Sequence, residues 1–124
     1  MTQEDKILLL KDLCARLPYM PKIKITYQQQ GIKGTDEGNV SCDFIEKIVN
    51  DLRNGVITDV QIYLRPMSSM TKEEQKEYEH TMISLGYYDG NTIDTFDWLN
   101  EHHFDYRGFI EKRLAIEVPK GMYN

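Results

Sequence analysis

Residues 22–29, KIKITYQQ, set Ile23, Ile25 and Tyr27 in alternation with Lys22, Lys24 and Thr26. A period of two puts the apolar side chains on one face and the polar ones on the other. The stretch, introduced by Pro21, therefore predicts a half-buried strand. A second run, VITDVQIYL at 56–64, is rich in β-branched residues and sets Val60, Ile62 and Leu64 on one face. It predicts another strand, ended by Pro66. Between the two lies GIKGTDEGN at 31–39, whose three glycines predict a turn or a mobile loop. Val40, Cys42 and Phe44 resume the alternation, which predicts a short antiparallel return strand near 39–42. Phe44, Ile45, Ile48, Val49 and Leu52 then recur at helical spacing. A helix over 44–54 follows, with Asp43 and Glu46 as a capping box and Gly55 as its stop.

Helices flank this strand region. Thr2 is a candidate N-cap, Glu4 and Asp5 suit the positive end of a helix dipole, and Ile7, Leu10, Leu13, Cys14 and Leu17 recur at helical spacing. Pro18 ends that first helix. Downstream, Thr71 with Glu74 makes a second capping box. It opens KEEQKEYEHTMISL, a polar surface helix running to Gly86, with only Tyr78, Met82 and Leu85 as an apolar stripe. After a YYDGN turn at 87–91, Asp94 or Thr95 caps a short helix to about His103. Phe96, Leu99 and His103 share one of its faces; Trp98 and His102 share another. Gly108 interrupts, and LAIEV at 114–118 is extended. The expectation is a single α+β domain over 1–124: a small, mainly antiparallel sheet of three to four strands with helices packed on one face.

The chain has 124 residues, 40% of them hydrophobic and 28% charged, with a net charge of -5. Those values suit a globular domain and disfavour broad nucleic-acid or anionic-membrane binding, which needs clustered Lys and Arg. No run of 18 apolar residues exists, so no membrane span is expected. The start, MTQEDKILLLKDL, is acidic where a secretion signal is basic, so the cytoplasm is the expected compartment. Cys14 and Cys42, without CxxC spacing, are expected as buried thiols rather than a disulfide.

Residues 95–112, TFDWLNEHHFDYRGFIEK, gather Trp98, three phenylalanines and two histidines. His102, His103 and Asp105 suggest a metal or catalytic group. Adjacent histidines on a helix diverge by about 100°, however, so they do not face one ion together, and the i, i+4 pair of an HExxH helix is absent. The simpler reading is a helix end where imidazole meets the C-terminal dipole. Ser68 and Ser69 read as helix-entry residues. No GxSxG, GxxxxGK[ST] or GxGxxG motif is present, and no metal or cofactor is expected. Tyr63 with Arg65, and Tyr106 with Arg107, combine area with polar reach. With Trp98 they are the candidate protein-interface residues. Their structural alternative is an internal network in which Arg65 or Arg107 pairs with Asp97 or Asp105 and fastens the C-terminal segment to the sheet.

Three strings, LLLKDLCARLPY at 8–19, YLRPMSSMT at 63–71 and residues 95–124, together resemble a family of small uncharacterised proteins from gut-bacterial and associated phage genomes. The resemblance covers roughly two fifths of the chain and omits 20–58 and 80–93. Arg113 stands where that family's pattern has glycine, which disfavours a tight turn and allows the final helix to run longer. The resemblance implies no activity, cofactor or catalytic residue; it favours an accessory role in a mobile element. The leading expectation is a non-enzymatic protein-binding accessory or regulatory factor. The alternatives are a metal-assisted hydrolase or nuclease using His80, His102, His103 and nearby carboxylates, and a self-associating structural component. The sequence leaves the oligomeric state open.

Overall fold

The computed structural model describes residues 2–83, 93–119 and 121–123. Its helices and strands follow in the order α1 (Gln3–Arg16), β1 (Lys22–Gln29), β2 (Ile32–Asn39), α2 (Ile45–Arg53), β3 (Ile57–Leu64), α3 (Lys72–Ile83), α4 (Ile93–Glu101) and β4 (Ala115–Glu117). The strands form one sheet in the order β2–β1–β3–β4. The first two interfaces are antiparallel and the β3–β4 pair is parallel. The fold is the expected α+β, with a mixed, mostly antiparallel sheet. No helix among the described residues is long and apolar enough to cross a membrane.

The glycine-rich stretch is the largest departure from expectation. It is a strand, β2, paired with β1 along its whole length from Lys22↔Asn39 to Gln29↔Ile32. Gln30 and Gly31, with φ of 51° and 79°, form the two-residue connection. Positive φ at both central residues matches the right-handed twist of the flanking strands. Gly34 is tolerated in a strand because Tyr27, its cross-strand neighbour, lies over it. A Cβ at Gly34 would fall 2.5 Å from the Tyr27 hydroxyl oxygen. The strand expected at 39–42 does not form. Pairing ends where the Val40 N–H donates to the Pro21 carbonyl at 2.9 Å, and Cys42 lies in a turn. Helix α2 starts at Ile45 with Phe44 as N-cap and no side-chain cap bond, so the Asp43–Glu46 box is not made. Gly55, at φ 77°, does follow its end.

Helix α1 is capped as expected, the Asp5 N–H donating to Thr2 Oγ1 at 3.1 Å. Its buried face is rotated from the expected one. Leu9, Asp12, Leu13 and Arg16 face inward, while Ile7 is 48% exposed and Cys14 is also exposed. Both cysteines are free thiols on the surface rather than in the core. Leu9, Leu13, Ile48, Leu52, Val60 and Ile62 pack α1 and α2 against one sheet face, joined by Phe109 and Leu114. Burial of these side chains at roughly 1.5–3 kcal/mol each is the main attraction holding the layers.

Helix α3 carries the expected reciprocal box: Glu74 N–H to Thr71 Oγ1 at 3.1 Å, Thr71 N–H to Glu74 Oε1 at 3.0 Å. Leu85, Gly86 and the YYDGN turn lie outside the described residues. In α4, Asp94 falls in the first turn rather than at a cap, and the helix ends at Glu101, short of His103. His103 takes a left-handed φ of 62° and redirects the chain. Arg113 also sits at φ 62°, with its N–H donating to the Ile110 carbonyl at 3.1 Å. The tight turn therefore forms despite the arginine, and the final helix is not lengthened.

Candidate functional site

Each residue marked as an interface candidate has a partner within the chain. Arg65 donates from both terminal nitrogens to Glu74, each at 2.8 Å, and lies 4.2 Å from the centroid of the Phe104 ring. The two Arg65 hydrogen bonds hold the Glu74 carboxyl at a pKa of about 2; partial burial opposes them and the Thr71 bonds assist. Trp98 is half-buried. Its ring stacks on His102 at 4.2 Å and lies 5.7 Å from both Phe104 and Tyr78, and Nε1 donates to Glu77 at 3.3 Å. Phe104 thus links Arg65 to Trp98. Tyr106 donates to Asn100 Oδ1 at 2.9 Å, and Arg107 Nε donates to Asp12 Oδ1 at 3.1 Å. Tyr63 stands apart, beside the hairpin. Its hydroxyl donates to Glu37 Oε1 at 2.6 Å, and that bond, aided by burial, pushes its pKa up to about 12.

Arg65 and Arg107 do pair internally, but with Glu74 of α3 and Asp12 of α1 rather than with Asp97 or Asp105, so neither pair fastens the C-terminal segment to the sheet as expected. Asp105 instead accepts the N–H groups of Phe109 and Ile110 at 2.8 and 2.9 Å. Asp12 and Arg16, unmarked in the sequence reading, are the centre of the network. Both are 0% exposed, with Arg16 Nε donating to Asp12 Oδ2 at 2.8 Å and Arg16 Nη2 donating to the Phe104 carbonyl at 2.7 Å. A charged i, i+4 pair between Leu9 and Leu17 was the available signal. A solvated helix face is the commoner meaning of such a pair.

The two histidines have different neighbours, because the helix ends before them and His103 takes a left-handed backbone. His102 Nδ1 lies 2.9 Å from the Trp98 carbonyl, so it meets the helix end as expected. His103 does not. Its ring is buried and stacks 3.7 Å from that of Tyr123, and burial, with the Arg16 charge, pushes its pKa down to about 4. His80 lies exposed on α3. Among the described residues no three His, Cys, Asp or Glu side chains converge in a metal-binding group.

A second region presents unused binding capacity. β2 is the edge of the sheet, and nearly all of it is exposed. The Val40 N–H reaches the Pro21 carbonyl on one side of β1, and the Gln28 N–H reaches the Val56 carbonyl at 2.7 Å on the other. By alternation, Ile32, Gly34, Asp36 and Gly38 bond to β1, while the backbone groups of Lys33, Thr35, Glu37 and Asn39 point outward. No strand among the described residues pairs with them. Beside this edge, on the core side of the sheet, lies a groove of about 270 Å³. Ile25, Gly38, Val40, Phe44 and Ile48 line it, and Phe44 is 59% exposed. This edge is hidden in the sequence because glycine suggests a loop. The signal was the polar alternation of Lys33, Thr35 and Glu37.

Comparison with known proteins finds no matching family model, no similar curated protein and no similar solved structure.

Proposed function

We propose that this protein is a non-enzymatic protein-binding factor that accepts an extended segment of protein alongside β2. The observation that carries the reading is the outer edge of β2, unpaired among the described residues, beside an apolar groove. Outward N–H and C=O groups supply affinity to an added strand, and a groove beside them selects its side chains. The aromatic and arginine side chains of 95–112 and 63–65 have internal partners, so the hairpin is the better-supplied surface. The strings that resemble small gut-bacterial and phage proteins favour an accessory or regulatory role in such an element. Two free thiols favour the cytoplasm.

The test is purification of the protein, with whatever assembles on it, from the cells that make it, followed by amide exchange. Assembly is expected to slow exchange at Lys33, Thr35 and Glu37. Thr35→Pro, which removes an outward N–H and no bond to β1, is expected to abolish assembly. Unchanged exchange at those amides in every assembly recovered would overturn the reading.

A further inference from the structure

Resting on the strand-addition reading, we propose that the segment added to β2 is β2 of a second copy of this chain. The two strands run antiparallel about a two-fold axis through Thr35 and join the two sheets into one.

Backbone geometry restricts the choice of register. Outward-facing residues must oppose outward-facing residues, so only alternate registers are available. An axis through Lys33 sets Lys33 against the partner's Lys33. An axis through Glu37 opposes two glutamates, and one through Asp36 opposes two aspartates. Like charges directly opposite one another are destabilising. An axis through Gly34 avoids this but leaves Glu37 opposite the partner's Gly31, with no charge matched. The axis through Thr35 differs. It sets Lys33 opposite the partner's Glu37, and Glu37 opposite the partner's Lys33, with the two threonines paired between them. Glu37 Oε1 is held by Tyr63, whereas Oε2 is 4.0 Å from Lys22 Nζ and is the oxygen left for the incoming lysine.

The apolar surface agrees with the charges. In the same register Ile32 falls opposite the partner's Gly38. A two-fold axis perpendicular to the sheet keeps like faces together, so Ile32 enters the partner's groove over Gly38 and beside the partner's Phe44. Ile32 and Phe44, at 66% and 59%, are the most exposed large hydrophobics among the described residues. The pairing covers both, and does so twice. Backbone geometry allows this register among the alternate ones, and side-chain charge and apolar shape both favour it.

Sedimentation equilibrium of the purified chain, with no other protein present, is expected to give a mass twice that of the monomer. Lys33→Glu turns both cross-strand ion pairs into repulsions and is expected to raise the dissociation constant about tenfold at low salt. Register is read with Thr35→Cys in a Cys14→Ser, Cys42→Ser background. Residues on the axis lie about 5.5 Å apart between Cα atoms, within disulfide range. Oxidised glutathione should therefore link two copies through position 35, whereas Lys33→Cys in the same background should not link. A monomer at every concentration overturns the proposal, as does equal crosslinking at 33 and 35. If the chain is monomeric while Thr35→Pro still abolishes assembly with another protein, the strand-addition reading stands and self-pairing falls. If Thr35→Pro then changes nothing, both fall.

Discussion

The segment 95–112 and the hairpin edge 32–39 reverse the roles their compositions suggest. The first is dense in aromatic, histidine and arginine side chains, the residues enriched in interface hot spots. Inside this fold they bond and stack with one another and with α1, β3 and α3. The second is glycine-rich and polar, yet it leaves a row of backbone groups and the side chain of Ile32 facing outward. Composition reports what a side chain is able to do; availability depends on what the rest of the chain has already used. Substitutions in the first region should therefore change stability, and those in the second should change association.

Asp12→Ala is the strongest way to break this contrast. It leaves Arg16 buried without its counter-charge and Arg107 without its partner, and is expected to cost roughly 3–5 kcal/mol in denaturant unfolding. A loss below 1 kcal/mol would show that the network is not what holds the C-terminal segment. Acid is the next largest perturbation. Folded His103 titrates at about 4 and the unfolded imidazole near 6.5, so the unfolded chain takes up the proton first. Stability should fall as pH drops below 6.5, by about 3 kcal/mol in all once pH 4 is reached. His103→Asn, which tolerates the left-handed backbone, should flatten that slope while leaving the Glu74 contribution, lost only between 4.5 and about 2.

Smaller effects sharpen the same comparison. Arg113→Gly relieves a left-handed arginine and should stabilise the chain by roughly 0.5–1 kcal/mol in thermal unfolding. At the β2 edge and its groove, Phe44→Ala and Lys33→Glu should change the unfolding free energy of the monomer by less than about 0.5 kcal/mol. Both should still weaken assembly measured by sedimentation. A large stability loss at either position would mean that the edge is part of the core.

Much of the architecture was legible because local rules and tertiary packing agree. The alternation of KIKITYQQ and VITDVQIYL, the Thr2 cap, the Thr71–Glu74 box and the Gly55 stop each report a backbone preference that the fold keeps. β2 was not legible. Its propensity is poor, and its pairing depends on Tyr27 covering Gly34 from the neighbouring strand. Nor was the inward face of α1, where apolar spacing favoured Ile7 and Cys14. Burial of Asp12 and Arg16 draws on Arg107 and the Phe104 carbonyl, far along the chain, which satisfy Asp12 Oδ1 and Arg16 Nη2 and leave Arg16 Nη1 as the buried donor without a partner among the described residues.

The sequence by itself determined the α+β class, the positions of β1 and β3, and the polar surface of α3. These follow from side-chain period and capping chemistry, which act over a few residues. Only the tertiary structure decided that the aromatic segment is internally bonded and that the glycine-rich stretch is an edge strand, unpaired on its outer side among the described residues. Both depend on which distant groups satisfy a given donor, acceptor or apolar face.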